Sequence, residues 1–239
     1  MKINSTLSMT IITLMVNYLA GNNIKAVSDK HPLSFTPAGY TFSIWGVIYS
    51  LLLYITYTYD ASFSTEFKQL YLYSNILNSV WIILWSSAGN VEDDTNYIIS
   101  GCITLLSLAF VLIQILFKLD SLPQIIMIGF GIYAAWVCVA ASINVSIVLK
   151  EQLGVSDTVC RNTIYVLLTI VPFIIRKYIQ SALLTEGAPG LTQGALLTGI
   201  YATWSWALFG ILNNKKGGED IVIYIPLLSN IVNLIITLI

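Results

Sequence analysis

Eight long stretches of this chain hold no charged residue, and that absence limits its folds more than any other feature. They run 3–24, 41–59, 69–91, 95–117, 121–149, 162–175, 187–214 and 221–239. Seven of the eight contain 19 residues or more. A hydrocarbon core of about 30 Å is crossed by about 20 helical residues. Inside lipid the backbone has no water to bond, so only helices and closed barrels span it. Barrel strands run about ten residues with alternating polarity, and these tracts are longer and do not alternate. Composition agrees: 56% of the 239 residues are apolar and only 10% are charged, against roughly 25% charged in soluble domains. The sequence therefore reads as an all-α, polytopic membrane bundle of about eight transmembrane helices. It is expected to be an integral, multi-pass membrane protein with the lipid bilayer as its first partner.

Two tracts need separate argument. Tract 3–24 follows Lys2 and contains Ala20-Gly21, as a cleaved signal peptide does. It is long for the apolar region of such a peptide, so a retained helix is the expected reading. Tract 162–175 has 14 residues before Arg176 and Lys177. It spans if those side chains snorkel or if the helix continues through 179–184, and Pro172 predicts a kink. Eight crossings put both termini on one side. Lys2, Lys68, Lys118, Arg176 and Lys177 then lie on that side, and Lys25, Lys30, Lys150, Arg161, Lys215 and Lys216 on the other. Five against six gives no positive-inside bias, so the orientation stays open.

Several function classes lose support. A net charge of −1 supplies no basic face for nucleic acid. Cys102, Cys138 and Cys160 form no CxxC pair, and His31 is the one histidine, so no metal site is indicated. No charged residue lies at mid-span in the first five helices or the last two. Pumps and proton-coupled transporters usually keep one there, and general acid–base catalysis needs a positioned pair. The expectation is a protein that is not an enzyme.

The spans hold aromatic and amide residues at helical spacing instead. Asn78, Trp81 and Trp85 share one face of the third span, and Trp136, Ala140 and Asn144 share one face of the fifth. Phe42, Trp45 and Tyr49 do the same in the second. Single amides and aromatics in a membrane helix more often serve packing than ligands. Three similar faces together are what a site for a flat apolar ligand requires. Asn78 and Asn144 are expected to point between helices. The first connection, 22–39, is long, contains Pro32, Pro37 and Gly39, and has the length of a binding loop or lid. Gly131-Ile-Tyr-Ala-Ala-Trp136 is echoed by Gly199-Ile-Tyr-Ala-Thr-Trp204, read as a shared helix-face solution with duplication left open.

These motifs resemble those of the TspO, or translocator protein, family, also known as the peripheral benzodiazepine receptor family. The likeness lies in Phe35-Thr-Pro-Ala-Gly-Tyr40 followed by Phe42-Ser-Ile-Trp45-Gly-Val-Ile-Tyr49. It continues in Leu77-Asn78 with Trp81, and in Trp136 with Asn144 eight residues on. It covers roughly 7–149, with departures at Ala38, Tyr40 and Ser43-Ile44. Trp206-Ala-Leu-Phe-Gly-Ile211 looks like a helix of the longer tryptophan-rich sensory proteins, so the closer likeness is to that branch. The resemblance implies a translocator-type five-helix core over 1–149, with three additional transmembrane helices over 150–239. It implies a ligand-binding membrane protein with a sensory or transport-related role. The ligand would be a porphyrin, another tetrapyrrole or a sterol, bound by Pro37, Trp45, Tyr49, Asn78, Trp81, Trp136, Ala140 and Asn144. No permanent cofactor is expected. Photodegradation of porphyrin is an activity implied by the family alone. A small-solute transporter or channel is the alternative reading, and a homodimer is left open.

Overall fold

A helix buried in lipid gains nothing by hiding apolar side chains from apolar lipid, so close packing and polar bonds must join it to its neighbours. The computed structural model describes residues 4–21, 24–119, 122–185, 190–214 and 221–238, with side chains described there except at 25 and 178–193. Nine α-helices occupy most of them: α1 Ser5–Ala20, α2 Ile24–Lys30, α3 Ile44–Tyr59, α4 Thr65–Ala88, α5 Thr95–Leu116, α6 Gln124–Leu153, α7 Asp157–Thr185, α8 Gly190–Asn213 and α9 Tyr224–Leu238. Each charge-free tract has become one long helix. The short α2 lies within the long first connection. Six helical segments are long and apolar enough to cross a membrane: Gly39–Ser62, Thr95–Leu116, Gln124–Leu153, Asp157–Lys177, Gly194–Asn213 and Ile221–Leu238. The other two long helices depart from the expected pattern for physical reasons. Helix α1 is apolar but has 16 residues. Helix α4 has 24 but buries Ser74, Asn75, Asn78 and Ser86, which lowers its hydropathy.

Helix α1 is attached by hydroxyls. Its buried residues are Thr6, Thr10 and Thr13, a spacing that places them on one stripe with Asn17. Thr6 donates to Asp60 at 2.7 Å, and the Thr10 hydroxyl meets that of Tyr71 at 2.7 Å. Thr13 donates to Asn75 Oδ1 at 2.7 Å, and Asn17 Nδ2 donates to Asn78 Oδ1 at 2.7 Å. The last three bonds join α1 to α4, and the first ties its start to the turn that follows α3.

Helix α6 is buried on nearly every side, as a helix at the centre of a bundle must be. It packs against α3, α5, α7 and α8. Its contact with α8 is close because glycines face each other. A Cβ on Gly199 would fall 2.6 Å from the Ile128 carbonyl oxygen, and one on Gly131 would fall 2.8 Å from that of Leu196. The two echoing segments are therefore the two sides of one helix crossing. Trp204 Nε1 adds a bond to the Ala135 carbonyl at 3.2 Å.

Helix α7 runs on through Arg176 and Lys177, so the short tract is continued by its flanks. Pro172 lies inside it and cannot donate to the carbonyl four residues back, that of Leu168. Asn230 Nδ2 of α9 donates to that carbonyl at 3.0 Å. Neighbouring helices commonly satisfy groups freed by proline in this way.

Candidate ligand site

The long first connection folds over one end of the bundle. Its first half is fastened by charge. Lys30 Nζ and His31 Nε2 lie 2.8 and 2.9 Å from Asp94 Oδ2 at the start of α5. Lys150 Nζ donates to the Pro32 carbonyl at 2.7 Å. The Asp157 carboxylate, at the start of α7, accepts from the Ser34 amide at 3.1 Å and also from its hydroxyl. Leu33 and Phe35 are buried beneath. Burial pushes the Asp94 carboxyl up, but the bonds and charges of Lys30 and His31 more than offset this, and it lies below its usual 3.8. The second half, with a short 3₁₀ turn Gly39–Ser43, rests against the end of α8.

Under this lid is a cavity of about 780 Å³, within the range of small-molecule sites. Its inner wall is aromatic. Trp45 from α3 stacks on Trp81 from α4 with ring centroids 6.2 Å apart, and Trp81 stacks on Trp85 at 6.3 Å. Phe42 meets Trp136 of α6 edge to face at 5.6 Å. These separations suit attractive ring pairs. Asn144 Oδ1 accepts from Trp81 Nε1 at 3.4 Å while its Nδ2 donates to the Ala140 carbonyl at 3.0 Å. Trp136 is 1% exposed, and its indole N–H has no hydrogen-bond partner among the described residues. The rim is polar, with His31, Asn213 and Asn214.

Pro37, Trp45, Trp81, Trp136, Ala140 and Asn144 all line the cavity. Tyr49 and Asn78 do not; they form the layer behind it. Tyr49 stacks on Trp45 at 5.4 Å and donates to Asn78 Oδ1 at 3.3 Å. Asn78 Nδ2 donates to the Tyr133 hydroxyl at 3.1 Å. Both amides thus point between helices with partners, as expected.

A profile of the family described as TSPO-like protein matches residues 1–239. The chain belongs to this family. No curated protein and no solved structure matches it. The family match extends past the 7–149 stretch where the motifs lie, so the last three helices of this TSPO-like chain fall within it too. The cavity is also lined by residues that sequence reasoning did not assign to it. Trp85 was visible on the Asn78–Trp81 face, one turn past Trp81, and Phe42 on the Trp45 face. His31, Asn213 and Asn214 carried no comparable signal, since each reaches the rim by tertiary packing.

Proposed function

We propose that this TSPO-like protein binds a flat apolar ligand, of the tetrapyrrole or sterol class, in the cavity beneath its first loop. Its role is then sensory or transport-related, and it holds the ligand without catalysing a reaction. The observation that carries this reading is the cavity of about 780 Å³ with its aromatic wall. Stacked indoles offer faces to a flat ring, and apolar burial contributes about 25 cal/mol per Å² before association costs. The amides and hydroxyls beneath the wall bond one another, which supports a binding pocket over a polar path for solute.

The test is quenching of tryptophan fluorescence by protoporphyrin in nanodiscs. Saturable quenching is expected in the wild type. Trp136→Ala removes part of the aromatic wall and should weaken affinity, since truncating an anchor of this kind often costs about 2 kcal/mol or more. Trp81→Ala removes a wall and should weaken it by about thirtyfold, corresponding to about 2 kcal/mol. Affinities are compared because each variant also removes a fluorophore. Absence of saturable quenching by protoporphyrin together with absence of saturable binding of a sterol would refute the reading.

A further inference from the structure

Four hydrogen bonds fasten residues 36–41 of the lid to the end of α8. Asn214 Nδ2 donates to the Thr36 carbonyl at 2.6 Å, and Asn213 Nδ2 to the Tyr40 hydroxyl at 2.8 Å. Trp206 Nε1 donates to the Thr41 carbonyl at 2.9 Å, and the Ala38 amide donates to the Gly210 carbonyl at 2.9 Å. Gly210 permits this approach, because a Cβ there would fall 2.8 Å from Thr41 Cγ2 and 2.9 Å from its Cβ. The same lid segment supplies Pro37 and Gly39 to the cavity, and Asn213 and Asn214 line it as well.

The two halves of the lid are held unequally. Residues 30–35 are fixed by carboxylates, ammonium groups and two buried apolar side chains. Bonds to charged groups are roughly twice as strong as neutral ones. Residues 36–41 are held on the α8 side by neutral donors alone, with Tyr40 45% exposed. Asn213 is exposed as well, so water can replace its bond at small net cost.

We propose that the end of α8 is the latch of the ligand pocket: Asn213 and Asn214 hold residues 36–41 shut, and ligand passes when they release. This rests on the binding reading above. It gives the additional helices a specific task, control of access to a pocket walled by α3, α4 and α6.

The experiment uses the full chain in nanodiscs, with N213A/N214A and, separately, G210A, which opens the seam without removing a donor. Lipid-facing F209A is the control. Two readouts are taken: hydrogen exchange of the Ala38 amide, and stopped-flow association and dissociation of protoporphyrin. The Ala38 amide should exchange about tenfold faster or more in N213A/N214A, as losing two ordinary hydrogen bonds would give. Both protoporphyrin rates should rise in N213A/N214A and in G210A, with F209A matching wild type. Unchanged exchange in folded variants overturns the latch. Wild-type binding with unchanged rates in the variants overturns the gating role alone. Wild type that binds neither protoporphyrin nor a sterol overturns the binding reading and the gate with it.

Discussion

Replacing Asn78 by leucine keeps a side chain of roughly similar size and removes three hydrogen bonds at once. Asn78 Oδ1 accepts from Asn17 at 2.7 Å and from Tyr49 at 3.3 Å, and its Nδ2 donates to Tyr133 at 3.1 Å. Asn17 retains its bond to the Thr13 carbonyl. The loss falls on two tyrosine hydroxyls, and Tyr133 is 2% exposed. Interhelical bonds in membranes average only about 0.6 kcal/mol, because separated partners find others. A hydroxyl sealed among packed side chains finds none, so the larger cost of about 1–3 kcal/mol per orphaned group applies. Asn78→Leu should therefore destabilise by about 2–4 kcal/mol. The assay is unfolding by sodium dodecyl sulfate in mixed micelles, followed by tryptophan fluorescence. The sign of the coupling is the sharper check. If an orphaned hydroxyl is the cause, Tyr133→Phe should cost less in the Asn78→Leu background than in the wild type. A loss within about 0.5 kcal/mol of zero, the range of inert surface changes, or strict additivity of the pair, would refute the reasoning.

The crossing of α6 and α8 predicts that Gly199→Ala destabilises the fold by about 1–3 kcal/mol and lowers the unfolding midpoint accordingly, since its Cβ meets backbone that cannot give. Gly194→Ala, whose Cβ would make an ordinary 3.5 Å contact with the Thr237 carbonyl, should leave the midpoint near wild type; equal effects in the two would discount the glycine contact. The lid has a pH dependence set by Asp94. Its carboxyl lies below the usual 3.8, so its contribution is present above that value and fades as pH falls through the lower folded-state value. Asp94→Asn should remove this acid-sensitive portion of stability, and an unchanged acid profile would count against the Lys30–His31–Asp94 fastening.

The helices were legible because lipid excludes charge whatever a helix packs against, and the eight charge-free tracts needed no knowledge of partners. The aromatic wall was legible for a related reason. Trp45, Trp81, Trp136, Ala140 and Asn144 lie at spacings that fix their common face, and the family motifs pick out the same positions. Depth was not legible. Asn78 shares the face of Trp81 but lies one turn further from the lid, so it and Tyr49 support the wall from behind. The threonine stripe of α1 was also hidden, because a count of charges treats threonine as neutral and only the facing Tyr71, Asn75 and Asn78 reveal its use. Asn213 and Asn214 end the tract 187–214, and nothing near them in sequence indicates a loop more than 170 positions earlier.

That separation has a consequence for how the protein is made. The lid's bonds to Trp206, Asn213 and Asn214 span 165, 173 and 178 positions of the chain. At synthesis rates of about 5–20 residues per second, the loop is translated roughly ten to thirty seconds before its fastening exists. Once α6 is made, the nascent chain carries an aromatic hollow whose cover still has nothing on the α8 side to grip. A translation product stopped after α6 would keep the wall and lack the clasp. The pocket is thus finished by the last quarter of the polypeptide, and any ligand present during insertion meets an open vessel before a closed one.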